Sequence, residues 1–167
     1  YDFKGENPHN HFCMLYFNEI TPEKYELAKQ ISFKYLYGNE VTNIEFFNKV
    51  RNFRKKLYEF YQNEGYIILP ITKRKIYKKH NEDLTESKLL NYFIQGYESE
   101  FGLLKIKNIN NLLLDKKSSL ILWIYDSFLI DYTPEDGTSI IQSIKEILEN
   151  DNMKVHIHVG KNFHSMF

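Results

Sequence analysis

Residues 118–132 read SSLILWIYDSFLIDY, the most apolar stretch of the chain, with the carboxylate of Asp126 at its middle. A buried, unpaired carboxylate is costly enough that a protein protonates it, pairs it or gives it a metal. One reading makes Tyr125-Asp126-Ser127 the tip of a β-hairpin, because Asp and Ser bond their own backbone in turns. The other makes Asp126 a metal ligand fixed at that tip. The rest of the chain decides between them.

At 167 residues the chain is long enough to bury one core. Lys plus Arg and Asp plus Glu balance at 22 each, so net charge argues neither for nor against nucleic acid, whose binding follows local patches. Two such patches stand out. RNFRKKLY (51–58) and KRKIYKKH (73–80) interleave cations with aromatics, a mix suited to phosphate contact and base stacking, although solvated element faces look the same. Cys13 is the sole cysteine, which excludes an internal disulfide and a multi-cysteine zinc site. The longest apolar run, LILWI, is far too short to span a bilayer and no signal-peptide pattern opens the chain. A cytoplasmic protein with no membrane partner is expected.

Local signals outline the elements. The character of the opening apolar segment, helix or strand, is left open. Thr21-Pro22-Glu23 starts a helix that runs to Tyr37, and Gly38 is expected to close it in the left-handed conformation. Thr42 with Glu45 reads as a capping box for a helix from Asn43 to about Gln62, ending near Gly65. GYIILPITKRKIY reads as a hairpin over 66–77, and a third helix runs from Thr85 past Gly96, whose place inside a helix implies close approach by something else. After the Asp126 hairpin come a helix from Pro134 to Asn150 and a strand, KVHIHVG, with His156 and His158 on one face. Two histidines without a third ligand make that face an edge strand rather than a metal site. The order of elements is α+β.

Three groups of residues carry chemistry. Lys29, Phe33 and Tyr37 fall at four-residue steps, which line one helix face and can present an ammonium to a phosphate and rings to a base. An aromatic stripe at that spacing is equally suited to a core, with the Lys snorkelling out of it. Asn91, Gln95 and Gly96 form N-x-x-x-Q-G, two amides on one face beside a bare backbone patch. A nucleic-acid strand can satisfy such amides, and so can an internal hydrogen-bond pair. The third group is the Asp126 hairpin.

In order, KQISFKYLYG, NYFIQG and YDS, followed by VHIHVGKNFHSMF, resemble the family A DNA polymerases, the group of bacterial DNA polymerase I and many phage replicases. The resemblance covers nearly the whole chain and implies the fingers helices plus part of the antiparallel palm sheet of a right-hand polymerase. It divides the chain into a fingers portion, 1–90, with the helices 22–37 and 43–62 and the hairpin 66–77, and a palm portion, 91–167. It implies that Lys29 binds the triphosphate, that Phe33 packs on the incoming sugar, and that Tyr37 and Gly38 shape the templating pocket. His9 falls where the family has a phosphate-contacting His. Asn91, Gln95 and Gly96, with Tyr125 and Ser127, would lie along the primer-template. Asp126 would hold the catalytic magnesium ions, two of them, and the implied partners are primer-template DNA and deoxynucleoside triphosphates.

The departures are specific. Tyr25 stands where the family often has Arg, and Tyr125 and Ser127 replace His and Glu of the palm motif. No Asp-Tyr-Ser-x-x-Glu-x-Arg motif is present, so the second metal-binding Asp of a two-metal mechanism is expected from an N-terminal polymerase segment outside this chain. The rival readings are a single-subunit phage-type RNA polymerase, against which Phe33 and N-x-x-x-Q-G count, and a non-catalytic nucleic-acid-binding module.

Overall fold

Asn7 and Pro8 open the first helix: the Asn7 side chain accepts the His9 amide at 2.9 Å, and proline suits the first helical position. In the computed structural model, which describes residues 7–38, 40–80, 83–149, 154–162 and 165, helix α1 spans Pro8–Phe17. Helix α2 spans Pro22–Tyr37, with Thr21 accepting the Lys24 amide at 3.3 Å as the sequence predicts. Helix α3 spans Glu45–Glu64, and Gly65, at φ 74°, turns the chain into strand β1, Tyr66–Ile68. Strand β2, Lys75–Tyr77, pairs antiparallel with β1, matching Tyr66 to Tyr77, Ile67 to Ile76 and Ile68 to Lys75. A 3-10 turn over Lys78–His80 leads towards the long helix α4, Glu86–Leu113. Strands β3, Ser119–Ile124, and β4, Ser127–Asp131, form the second antiparallel hairpin, followed by a 3-10 turn, Pro134–Asp136, and helix α5, Ser139–Leu148. Helices with two small antiparallel sheets make the fold α+β, as expected. No helix among the described residues is long and apolar enough to cross a membrane.

The chain forms two compact units, Asn7–Leu104 and Lys105–Phe167. This boundary lies later than a division at residue 90, because the first part of α4 is held by the β1–β2 hairpin. The hairpin's Leu69 sits against Gly96, where an added Cβ would come within 2.8 Å of its Cδ1. Glu100, 2% exposed, accepts the Ile71 and Thr72 amides at 3.2 Å each and also takes the Thr72 hydroxyl. Leu89 packs with Tyr61, Ile67 and Leu84 into the core beneath. The glycine in the helix therefore makes room for a leucine of its own unit, and Gly96 is buried rather than a bare patch. In the second unit Ile109 and Leu113 of α4 pack with Ile140 and Ile144 of α5, under Leu120, Phe128 and Ile130 of the hairpin.

Four sequence expectations need correction. Gly38 is extended, with φ −84° and ψ −174°; it is required because a Cβ there would fall on the Lys34 carbonyl, not because the backbone is left-handed. The capping box does not form: the Thr42 hydroxyl accepts the nearer Ile44 amide at 3.2 Å, and α3 begins at Glu45 without a side-chain cap. The helix expected over 134–150 is broken at Gly137, φ 78°, because Asp136 turns back to accept the Ser118 and Lys117 amides at 2.6 and 3.2 Å. Residues 154–160 form no strand, since their Val-Ile-Val alternation finds no strand partner among the described residues. His156 and His158 are exposed there on no common sheet face.

Burial favours the neutral form of Glu100, but its hydrogen bonds from Thr72 and Ile71 outweigh that and hold its carboxyl below the usual range. Glu100→Gln keeps one oxygen for both amides and lets the Thr72 hydroxyl reverse, so urea unfolding should show a loss of about 1 kcal/mol. Glu100→Leu strands both amides and should cost about 3 kcal/mol. Because the folded-state pKa is depressed, this contribution is present above the unfolded value near about 4.3 and is lost as pH falls through the folded one. Both variants should lack that part of the acid-side decline.

Candidate nucleotide and nucleic-acid interface

The first turns of α1 and one face of α2 meet in a cluster of rings. His9 packs edge-on to Tyr25 at 5.8 Å and lies 6.4 Å from Phe33, whose ring stacks on Tyr37 at 6.2 Å and 19°. Lys29 lies over the Tyr25 ring at 5.1 Å and pairs with Glu26 at 3.2 Å. Phe33 is 49% exposed. Phe33 is thus open to solvent with Lys29 and Tyr37 half-buried on either side of it, and Lys29 holds a charge that a stronger anion can draw away from Glu26. His9 Nδ1 is buried and has no hydrogen-bond partner among the described residues. Burial first, and then the Lys29 charge, push the His9 pKa down against the pull of Glu26, so at neutral pH this imidazole is uncharged. It can serve a phosphate as a hydrogen-bonding group.

On α4, Asn91 and Gln95 face a groove of about 490 Å³, shared with His80, Asp83, Leu84, Lys88 and Tyr92. Gly96 faces the other way, into Leu69. The amide pair is open to a ligand, while the glycine positions the helix that carries it.

What joins the two faces is a residue that motif matching passed over. Arg54 of α3, 4% exposed, donates from one guanidinium nitrogen to the carbonyls of Gly38 at 2.9 Å and Leu36 at 3.5 Å and to the Ser87 hydroxyl at 3.3 Å. Ser87, in the first turn of α4, in turn donates to the Tyr37 carbonyl at 2.6 Å. The end of α2 bearing Tyr37 and Gly38 is thereby fixed to the start of α4, one turn before Asn91. A cation at a helix C-terminus also offsets the partial negative charge there. Arg54 Nε lies 3.4 Å from Glu86 Oε2 but lacks hydrogen-bond geometry among the described residues. The signal for Arg54 was present in the sequence: Phe47, Arg54 and Tyr61 are buried at seven-residue steps on α3, and a cation in an apolar stripe needs partners.

Asp126 lies in the second unit, at the exposed tip between β3 and β4. No burial penalty arises, which answers the question its apolar surroundings pose. Tyr125 is 86% exposed with φ 53°, a conformation disfavoured for a bulky side chain, and its carbonyl accepts Trp123 Nε1 at 2.6 Å. Ser127 pairs with Ile124 across the tip, and Trp123 stacks on Phe128 behind it. The hairpin base is closed by Asp136 on Ser118 and by the Thr133 amide on the Ser118 hydroxyl at 2.9 Å. No group of three or more His, Cys, Asp or Glu side chains poised for a metal occurs among the described residues. One carboxylate at a hairpin tip does not constitute a two-ion site.

The chain has the fold of part of a DNA polymerase domain. One solved structure with that likeness is the polymerase domain of Pol1 from M. smegmatis in complex with DNA primer-template and dNTP, with a TM-score of 0.71 and 19% identity. The match covers 90% of this chain and 32% of that one. No protein-family model matches the chain, and no curated protein matches it.

Arg54→Met, similar in length but without donors, leaves the Gly38 and Leu36 carbonyls unpaired. It is expected to lower unfolding free energy by about 3 kcal/mol. Hydrogen exchange should accelerate first at the end of α2 and the start of α4, where the lost bonds lie.

Proposed function

We propose that this chain is the nucleotide- and primer-template-binding part of a template-directed DNA polymerase of the family A kind, adding nucleotides from dNTPs to a primer 3′ end. The observation that carries this reading is the pairing of an open ring-and-lysine face on α2 with an open amide face on α4, held together by Arg54 and Ser87. The polymerase-like fold supports it, and so do the residue types at the sequence positions read above.

In this reading Lys29 exchanges Glu26 for the triphosphate, His9 donates to it, and Phe33 lies against the sugar. Tyr37 and Gly38 border the templating base, and Asn91 and Gln95 hold the primer-template from the α4 groove. Asp126 supplies one carboxylate of a magnesium site, and the other comes from a polymerase segment outside this chain. Magnesium would neutralise developing charge on the phosphoryl oxygens. The fingers and palm roles of the two portions, 1–90 and 91–167, belong to the same proposal.

In the polymerase completed by that segment, Lys29→Ala should lower kcat/KM for dNTP by about 100- to 1,000-fold, the scale of losing one preorganised charge contact. Primer-template affinity should stay unchanged. A mutant that lost DNA affinity and kept its nucleotide KM would move the α2 face to another role. Asp126→Asn suits a turn as well as Asp, so a purely structural tip predicts nearly full activity, whereas a metal ligand predicts none. Single-turnover nucleotide addition separates the two outcomes.

A further inference from the structure

The second basic run of the sequence, 73–80, is not used by the nucleotide face or by Asp126. Its strand alternation turns Ile67 and Ile76 inward and leaves Tyr66, Ile68, Lys75 and Tyr77 on the outer face of the β1–β2 hairpin. Tyr66 and Tyr77, cross-strand partners, lie 6.0 Å apart, and Phe60 of α3 meets Tyr66 edge-on at 6.0 Å. Lys75 sits over Tyr66 at 4.0 Å and Lys79 over Tyr77 at 5.5 Å. Beyond Tyr77 the ring of His80 follows at 6.5 Å, and His80 also lines the groove of Asn91 and Gln95. The outer hairpin face and the amide groove are therefore one continuous strip, with rings and lysines at one end and amides at the other.

The strip is also fixed in place. Leu69 against Gly96 and Glu100 under Ile71 and Thr72 tie the hairpin to α4. Lys73, exposed, is engaged by the Pro70 carbonyl at 2.7 Å and half-buried Lys78 is bonded to Gln62, while Lys75 and Lys79, both exposed, are presented outward with Arg74. In a chain whose charges balance overall, this is a local positive surface, and it alternates with flat rings.

We propose that the β1–β2 hairpin is a binding site for single-stranded DNA, in which Tyr66 and Tyr77 stack bases while Lys75 and Lys79 contact phosphates of a strand continuing from the Asn91–Gln95 groove. Cations alternating with rings favour a nucleic-acid strand over an acidic protein or a membrane, because stacking needs flat π-faces on the ligand. That the strand is DNA, a template overhang, rests on the proposed polymerase function.

The test is binding of a fluorescent dT12 oligonucleotide to the 167-residue chain by anisotropy across a salt series. Lys75→Ala/Lys79→Ala should weaken binding about tenfold and reduce the slope of log K against log salt by about 1.4, the loss of two phosphate contacts on a single strand. Tyr77→Leu should weaken binding at least fivefold at every salt concentration, with Tyr77→Phe close to the parent. Lys55→Ala/Lys56→Ala, in the other basic run, should change neither. Unchanged dT12 affinity in the lysine or the Tyr77→Leu variant, with melting curves showing both folded, overturns the proposal. So does equal loss of heparin and dT12 binding in the Tyr77→Leu variant, since heparin has no bases to stack. Asn91→Ala/Gln95→Ala, assayed separately on primer-template in the completed polymerase, tests the polymerase reading without touching the hairpin, so either reading can fail alone.

Discussion

The first unit depends on one buried guanidinium. Arg54 sits where a heptad-like stripe on α3 would otherwise place an apolar side chain, and its removal from water is offset by two carbonyls at the end of α2 and one hydroxyl at the start of α4. Such a group is costly to disconnect, because its loss strands the carbonyls that it serves. Its consequence is geometric: the stripe that ends at Tyr37 and the amides that begin at Asn91 are held by the same side chain. Glu100 repeats the arrangement further along α4, with a buried carboxylate taking up the amides of the hairpin turn. Two buried charges, each bonded to backbone groups, tie the α2 face and the β1–β2 hairpin to the helix that carries Asn91 and Gln95.

Much of this was legible locally. Helix α2 begins and ends where Thr21-Pro22 and Gly38 place it, and both hairpins appear where apolar runs flank turn residues. The face formed by Lys29, Phe33 and Tyr37 follows from helical spacing alone, as does that of Asn91 and Gln95. What spacing could not reveal was which partner each polar residue would choose. Thr42 satisfied a nearer amide than the capping box requires, Asp136 reached back to the hairpin base and broke a helix, and Gly96 made room for a leucine from its own unit. Gly38 closed its helix as expected but for steric reasons set by the Lys34 carbonyl. Each of these outcomes depends on a neighbour brought close by folding, and the sequence pattern near the residue does not say which neighbour that is.

Asp126 is the opposite case. Its apolar neighbours Leu120, Phe128 and Ile130 pack inward on α4 and α5, while Ile121 and Ile124 remain exposed and the carboxylate projects from the tip. The charge needs no partner for folding, and the backbone at Tyr125 is held in a left-handed conformation that the turn alone would assign to glycine. An exposed tip on a hairpin closed at its base by Asp136 presents one carboxylate, which is what the proposed magnesium site asks of this chain.

The central claim is that this chain binds nucleotide and primer-template but brings only one of the two metal-holding carboxylates. The direct measurement is magnesium-dependent addition of a labelled dNTP to a primer-template, by the purified 167-residue chain and by the same chain mixed with a polymerase segment bearing the second Asp. The account predicts no addition by the chain alone and templated addition by the mixture. Measurable templated addition by the chain alone, or none by a mixture shown to assemble, would contradict it.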